Sequence, residues 1–156
     1  MNYVLFDTES IQSLYPFTLT RSAAQIPTGL MTNAERLQHY TGFQPQILTV
    51  GVLQELYTYT PIATETIFIN AALIVDEALV TAMQALENDS VLVNEANQVL
   101  AYKTANLVAD LSTLEALVAQ GTKIAYTTAV QLLTNPWDIF SINGANIISD
   151  FNAYTK

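Results

Sequence analysis

Along the chain, short runs of β-branched and aromatic residues alternate with stretches whose apolar residues recur at helical spacing. Tyr3–Phe6, Gln46–Val50, Thr66–Asn70, Ser90–Val93 and Thr122–Tyr126 read as strands. Ser90–Val93 is predicted to turn back through Glu95–Asn97 into a hairpin partner, Gln98–Tyr102. Thr32-Asn-Ala-Glu35 has the spacing of a capping box and opens a predicted helix that runs to about Tyr40 and stops at Gly42. Asp76 is placed to cap a helix over Glu77–Leu86, with Leu79, Val80, Met83 and Leu86 on one face. Ser112-Thr-Leu-Glu115 repeats the capping-box spacing, with Leu114, Leu117 and Val118 facing inward. Asn135-Pro136 is a cap followed by proline at the first helical position, opening Trp137–Ile142. Asn143-Gly144 is then expected to break the chain before a last amphipathic helix carrying Ile147, Ile148 and Phe151. Three β–α–β steps in succession predict one α/β domain over 1–156, a mostly parallel sheet covered by helices on both faces.

Composition narrows the possible partners. Apolar residues make up 51% of the 156 residues and charged residues only 12%, about half the usual ~25%. Fourteen acids against five bases leave a net charge of −9, so a phosphate backbone is repelled and nucleic acid is not an expected partner. No apolar stretch approaches the ~20 residues of a spanning helix, and the start has no basic export signal; no membrane is expected, and the location is read as cytoplasmic. The chain has no cysteine and a single histidine, His39, which excludes disulfides, thiolate sites and multi-histidine zinc sites. So few charges leave two readings of the surface: a neutral polar skin, or an apolar docking face.

Candidate chemistry starts with the cations because they are scarce: Arg21, Arg36, Lys103, Lys123 and Lys156. Arg36, beside Glu35 in a capped helix, and terminal Lys156 read as solvated, as does Lys123. Arg21 is alone in an otherwise uncharged stretch from Ser10 to Ala34. A guanidinium so placed calls for carbonyls, a carboxylate partner or a phosphate ligand. Asp7 ends the first strand, where open α/β sheets place their ligand crevice, and it could equally cap the next turn. Asp76, Asp138 and Asp150 fit helix caps or favourable dipole positions, and Trp137 reads as a core anchor. The first glycine is Gly29, so no glycine-rich phosphate loop follows the first strand.

Pro16-Phe-Thr-Leu-Thr-Arg21 followed by Gly29-Leu-Met-Thr-Asn-Ala-Glu35 resembles the opening of the sugar nucleotidyltransferase domain of a GlmU-like family. Phe68-Ile-Asn-Ala-Ala-Leu73 is similar to that domain's Leu-Ile-Asn-Gly-Ser segment, and Asn135-Pro-Trp-Asp-Ile-Phe-Ser-Ile-Asn-Gly144 to its close. The pieces come in family order, so the resemblance covers essentially the whole chain. It implies a shortened nucleotide-diphospho-sugar transferase fold, a Rossmann-like three-layer sheet that binds a nucleotide and a sugar phosphate. The implied reaction is sugar-1-phosphate nucleotidyl transfer, with UDP-N-acetylglucosamine as the product. On this resemblance Arg21 contacts phosphate, Lys103 is a second cation from the end of the hairpin, and Asp7 is the candidate carboxylate for Mg²⁺. The resemblance also implies a C-terminal β-helix acyltransferase domain, the present chain being its excised N-terminal neighbour, or a homo-oligomer. Ser22, Gln25, Pro27, Ala71 and Ala72 depart from the family pattern, removing a carboxylate and a base. A catalytically degenerate interaction or oligomerisation domain is the competing expectation.

Overall fold

A computed structural model describes residues 1–155, with Ser10 described by its backbone alone. Its elements are β1 (Asn2–Phe6), β2 (Pro27–Thr28), β3 (Met31–Thr32), α1 (Asn33–Thr41), β4 (Gln46–Leu48), β5 (Thr66–Asn70), α2 (Glu77–Gln84), β6 (Ser90–Val93), β7 (Val99–Thr104), α3 (Leu111–Gln120), β8 (Thr122–Ala125) and α4 (Pro136–Tyr154). Short 3₁₀ segments at Glu9–Leu14, Ala23–Gln25 and Gly51–Leu56 fill stretches in which the sequence pattern predicted no element.

Six strands form one sheet in the order β4-β1-β5-β7-β6-β8, and β2 pairs with β3 as a separate two-stranded ribbon. β1 runs parallel to both β4 and β5, and β6 runs parallel to β8. β7 is antiparallel to β5 and to β6, so it alone opposes the other five strands. The hairpin reading of β6 and β7 holds, with Asn97 at φ +59 in the turn. The structure adds that its second strand, not its first, lies against β5. The chain steps out from β1 to β4 and returns to β5 on the other side of β1. Its winding therefore reverses beside β1, the position at which open α/β sheets leave a crevice beyond the strand ends.

Strand alternation divides the core. Tyr3, Leu5, Ile47, Ile67 and Ile69 face a layer that includes Leu37, Leu79, Met83 and Ile139, from α1, α2 and α4. Val4, Phe6, Leu48, Phe68 and Val91 face the opposite layer, with Leu114 of α3 and Val108. Covering both faces turns the strands into continuous apolar runs: all five residues of β5 are buried.

Helix starts follow local chemistry. The Thr32–Glu35 capping box forms as the spacing predicts, and α1 closes at Gly42 with φ +77. Asp76 caps α2, its side chain accepting from the Leu79 N–H at 2.7 Å. α3 corrects the Ser112 reading: it begins two residues earlier, and Asp110 is the cap, accepting from the Thr113 N–H at 2.8 Å. α4 corrects another. It runs unbroken through Asn143-Gly144 for 19 residues, because its inner face is held to the β2–β3 ribbon on both sides of the glycine. Asn143 Oδ1 accepts from the Gly29 N–H at 2.8 Å and Asp150 Oδ2 from the Leu30 N–H at 2.9 Å. Tertiary contacts outweigh the ~1 kcal/mol cost of an interior glycine.

Candidate functional site

The crevice beyond β1 begins at Asp7, which is 3% exposed. Its backbone N–H donates to the Leu48 carbonyl at 3.0 Å, continuing the sheet one residue past β1. Its carboxylate gathers two neighbouring segments: Oδ1 accepts from the Ala23 N–H at 3.0 Å, and Oδ2 from the Thr49 hydroxyl at 2.6 Å. Burial pushes the Asp7 carboxyl above the usual carboxylate range, and hydrogen bonds from Thr49, Ser22 and Ala23 oppose that rise. The residue before Ala23 in the same loop, Ser22, is fixed twice. Its N–H donates to the Tyr57 hydroxyl at 3.0 Å, and its own oxygen accepts from the Ala24 N–H at 3.2 Å.

Arg21 immediately precedes this fastened turn and is exposed. Among the described residues it forms neither a salt bridge nor a side-chain hydrogen bond. Of the two readings its isolation permitted, internal pairing is thus not adopted. The remaining described cations are engaged. Lys123 donates to Asn97 Oδ1 at 3.2 Å, and Lys156 lies outside the described residues.

Lys103 is placed away from the crevice, and this corrects its expected partnership with Arg21. It faces Ile67 across β7 and β5, and Ile67 faces Tyr3, four residues before Asp7, roughly 13 Å along the strand at ~3.3 Å per residue. The antiparallel course of β7 carries it to the opposite end of the sheet. There its ammonium is buried, 3.4 Å from Glu65 Oε1 and 3.3 Å from the Gln84 carbonyl at the end of α2, where a helix dipole favours positive charge.

Asp7 does not fit a divalent cation. Both of its oxygens already accept hydrogen bonds, it is sealed from solvent, and no cluster of three or more metal-ligating side chains is present among the described residues. Asn70 ends β5 beside Phe6, but its Nδ2 donates to the Val99 carbonyl and its Oδ1 accepts from the Ala72 N–H. Beside Asp7 and Thr8, a small cavity of about 120 Å³ is walled by Val99, Leu114 and Val118, with Glu115 at its edge. A larger one, about 580 Å³, lies between α1 and β4 against Gln25, Glu35, Gln38, Gln46 and Tyr57. It offers amides and a carboxylate but no cation, which suits hydroxyl groups better than phosphates.

A different arginine proved to be the structural keystone. Arg36, expected on a solvated face, is 2% exposed and closes α1, β2 and α4 together. Nε and Nη2 form a bidentate pair with Asp150 at 3.2 and 2.8 Å; Nη2 also donates to the Thr28 carbonyl at 2.6 Å and Nη1 to Asn33 Oδ1 at 3.0 Å. A partner 114 positions away leaves no signature in a sequence window. The nearest local signal is that Asn33, Arg36 and Leu37 share one arc of α1.

A family model described as sugar nucleotidyl transferase matches residues 3–156. No curated protein matches the sequence. Among solved structures, a protein assigned as a glucose-1-phosphate thymidylyltransferase from Bacillus anthracis, crystallised with sucrose, superposes with a TM-score of 0.51 at 9% identity. The match covers 94% of this chain and 95% of that one. At such identity the likeness carries the fold, a Rossmann-like α/β sheet flanked by helices. Since the family model spans nearly the whole sequence, the chain belongs to the sugar nucleotidyl transferase family.

Proposed function

We propose that this domain carries out sugar-1-phosphate nucleotidyl transfer at the crevice beyond β1, with UTP and N-acetylglucosamine-1-phosphate as the specific pair. A phosphate oxygen of the sugar phosphate attacks the α-phosphorus of the triphosphate. The bond to the bridging oxygen of the β-phosphate breaks, and pyrophosphate leaves with that oxygen. Negative charge accumulates on the transferring group, and a fixed cation stabilises it. Arg21 carries this reading: of the Lys and Arg side chains described, it alone lacks an internal partner, and it leads into the turn that Asp7 holds at the strand-end crevice. Asp7 enters as the anchor of that turn, by its hydrogen bonds to Ala23 and Thr49, rather than as a metal carboxylate. Sugar nucleotidyltransferases commonly use Mg²⁺, so the assay includes it. Pyrophosphate release from the two substrates is the expected result; none from any common nucleotide and sugar phosphate overturns the catalytic claim. Arg21→Lys keeps the charge but loses the planar fork. It is expected to weaken nucleotide binding by roughly tenfold to more than a hundredfold, since a hydrogen bond to a charged group contributes about 1.5–3 kcal/mol.

A second reading has its own support. The buried, hydrogen-bonded carboxylate of Asp7 favours a degenerate domain that serves a β-helix acyltransferase by protein contact. Thermal-shift titration separates the two, because a ligand at a hundred times its dissociation constant adds about 2.7 kcal/mol. A shift with UTP or a nucleotide-sugar supports the transferase; silence across the panel supports the interaction domain.

A further inference from the structure

The outer face of α4 carries a continuous apolar stripe: Trp137, Phe140, Ile147, Ile148, Phe151 and Tyr154, all solvent-exposed. The sequence reading of Trp137 as a core anchor is corrected here, since it is 65% exposed. Ile139, Asn146 and Asp150 form the buried side instead. At roughly 150–250 Å² for an aromatic side chain, the four aromatics of the stripe, 59–71% exposed, leave on the order of 500 Å² in water. The two isoleucines, with Leu30, whose N–H is held by Asp150 of α4, and Phe17, which packs edge-on against Phe140, bring the face to the ~800 Å² that each partner contributes to a stable interface.

The order of residues says what fits this face. At 100° per residue, Gly144 lies within the stripe, and four of its six side chains stand in pairs about the glycine. Trp137 and Phe151 stand seven positions either side of it, and Phe140 and Ile148 four positions either side. A helix with such a pattern is complementary to itself when a two-fold axis crosses it at the glycine. Trp137 then meets the partner's Phe151, and Phe140 meets the partner's Ile148. An isologous contact has this reciprocity. Gly144 itself has no task within the chain: a Cβ built there meets nothing within 4 Å, and its φ is not positive. Its absent side chain lets two helix backbones approach at the crossing point. None of the six stripe residues is an Asp, Glu, Lys, Arg or His, so the stripe of a second copy brings no like charge to the contact despite the net −9.

We propose that α4 is the interface of a two-fold symmetric dimer of this chain, the two helices crossing antiparallel at Gly144. The interface is independent of whether the crevice binds nucleotide. Sedimentation equilibrium over a concentration series is expected to give twice the 17.1 kDa chain mass. Phe140→Glu and Ile148→Glu, both at exposed positions, are expected to remain folded by circular dichroism and to sediment as monomers. The natural chain has no cysteine, so single replacements give clean cross-linking. Gly144→Cys places two thiols at the axis and is expected to oxidise to a disulfide dimer on the order of a hundredfold faster than Glu87→Cys, an exposed position elsewhere. A monomer at all concentrations, a dimer surviving both glutamate substitutions, or equal cross-linking at the two cysteine positions overturns the proposal.

Discussion

Two regions of this domain spend their few charges in opposite ways. At the joint of α1, β2 and α4, Arg36 and Asp150 are sealed inside the protein, and every bond of the pair serves the fold. At the end of β1, Asp7 is equally buried but, among the described residues, pairs with no cation; it accepts hydrogen bonds from Thr49 and Ala23, and Arg21, two residues before Ala23, has no internal partner there. A buried charge is tolerable in either setting provided its hydrogen bonds are supplied. The difference lies in what is left over: among the described residues the joint has no unspent charge, whereas the segment leading into the turn held by Asp7 carries one exposed guanidinium without an internal partner.

The largest expected effect therefore falls on the joint. Asp150→Ala strands the Arg36 guanidinium and removes the acceptor for the Leu30 N–H; chemical denaturation should show a loss of about 3–5 kcal/mol. The paired replacement Arg36→Met with Asp150→Leu should recover much of it, because no charge is left uncompensated. Next comes Gly29→Ala. At φ +81, a Cβ would lie 2.6 Å from Asp150 Oδ2 and 2.7 Å from the Asn146 backbone. Strain there costs on the order of 1–3 kcal/mol, read as a lower unfolding midpoint.

A smaller effect distinguishes Asp7 by its pH dependence. Its folded pKa is raised by burial, so the unfolded chain ionises first. The contribution of this group is fully present below the ordinary carboxylate value and is lost as pH rises through the raised folded value. Asp110 and Asp138 act in reverse. Backbone hydrogen bonds from Thr113 and Thr134, respectively, hold their carboxyls low, and their stabilisation is lost as pH falls through those lowered values. Asp7→Asn should abolish only the decline on the rising side, as thermal melts at a series of pH values would reveal. The smallest effect is expected at Arg21→Ala, within about 0.5 kcal/mol of the parent in stability, as for exposed sites without special contacts. A larger loss would show that the free guanidinium has a structural task, and the contrast between the two regions would collapse.

How much was legible depended on how far apart the cooperating residues are. β5 matches its expected limits, Thr66–Asn70, because its apolar run is short and bounded. α1 was readable from Thr32, Glu35 and Gly42, which act within one helix. The start of α3 was misread because Ser112 and Asp110 are both competent caps, and only backbone geometry chooses between them. The end of β1 and the isolation of Arg21 could be seen in the sequence, but the hydrogen bonds that Asp7 accepts come from Thr49 and Ala23, on other segments.

The sequence by itself determined the alternation of strands and helices, the caps of α1, α2 and α4, the scarcity of charge and the family, since each of these is written in neighbouring residues or in composition. Tertiary structure decided which charges are spent. It buried Arg36 against an aspartate 114 positions away, sent Lys103 to the far end of the sheet on an antiparallel strand, and turned Trp137 outward. Periodicity reveals that a helix has an apolar face. Whether that face meets the core is settled by the opposite face, and in α4 the polar side, through Asn143 and Asp150, is the one tied to the protein.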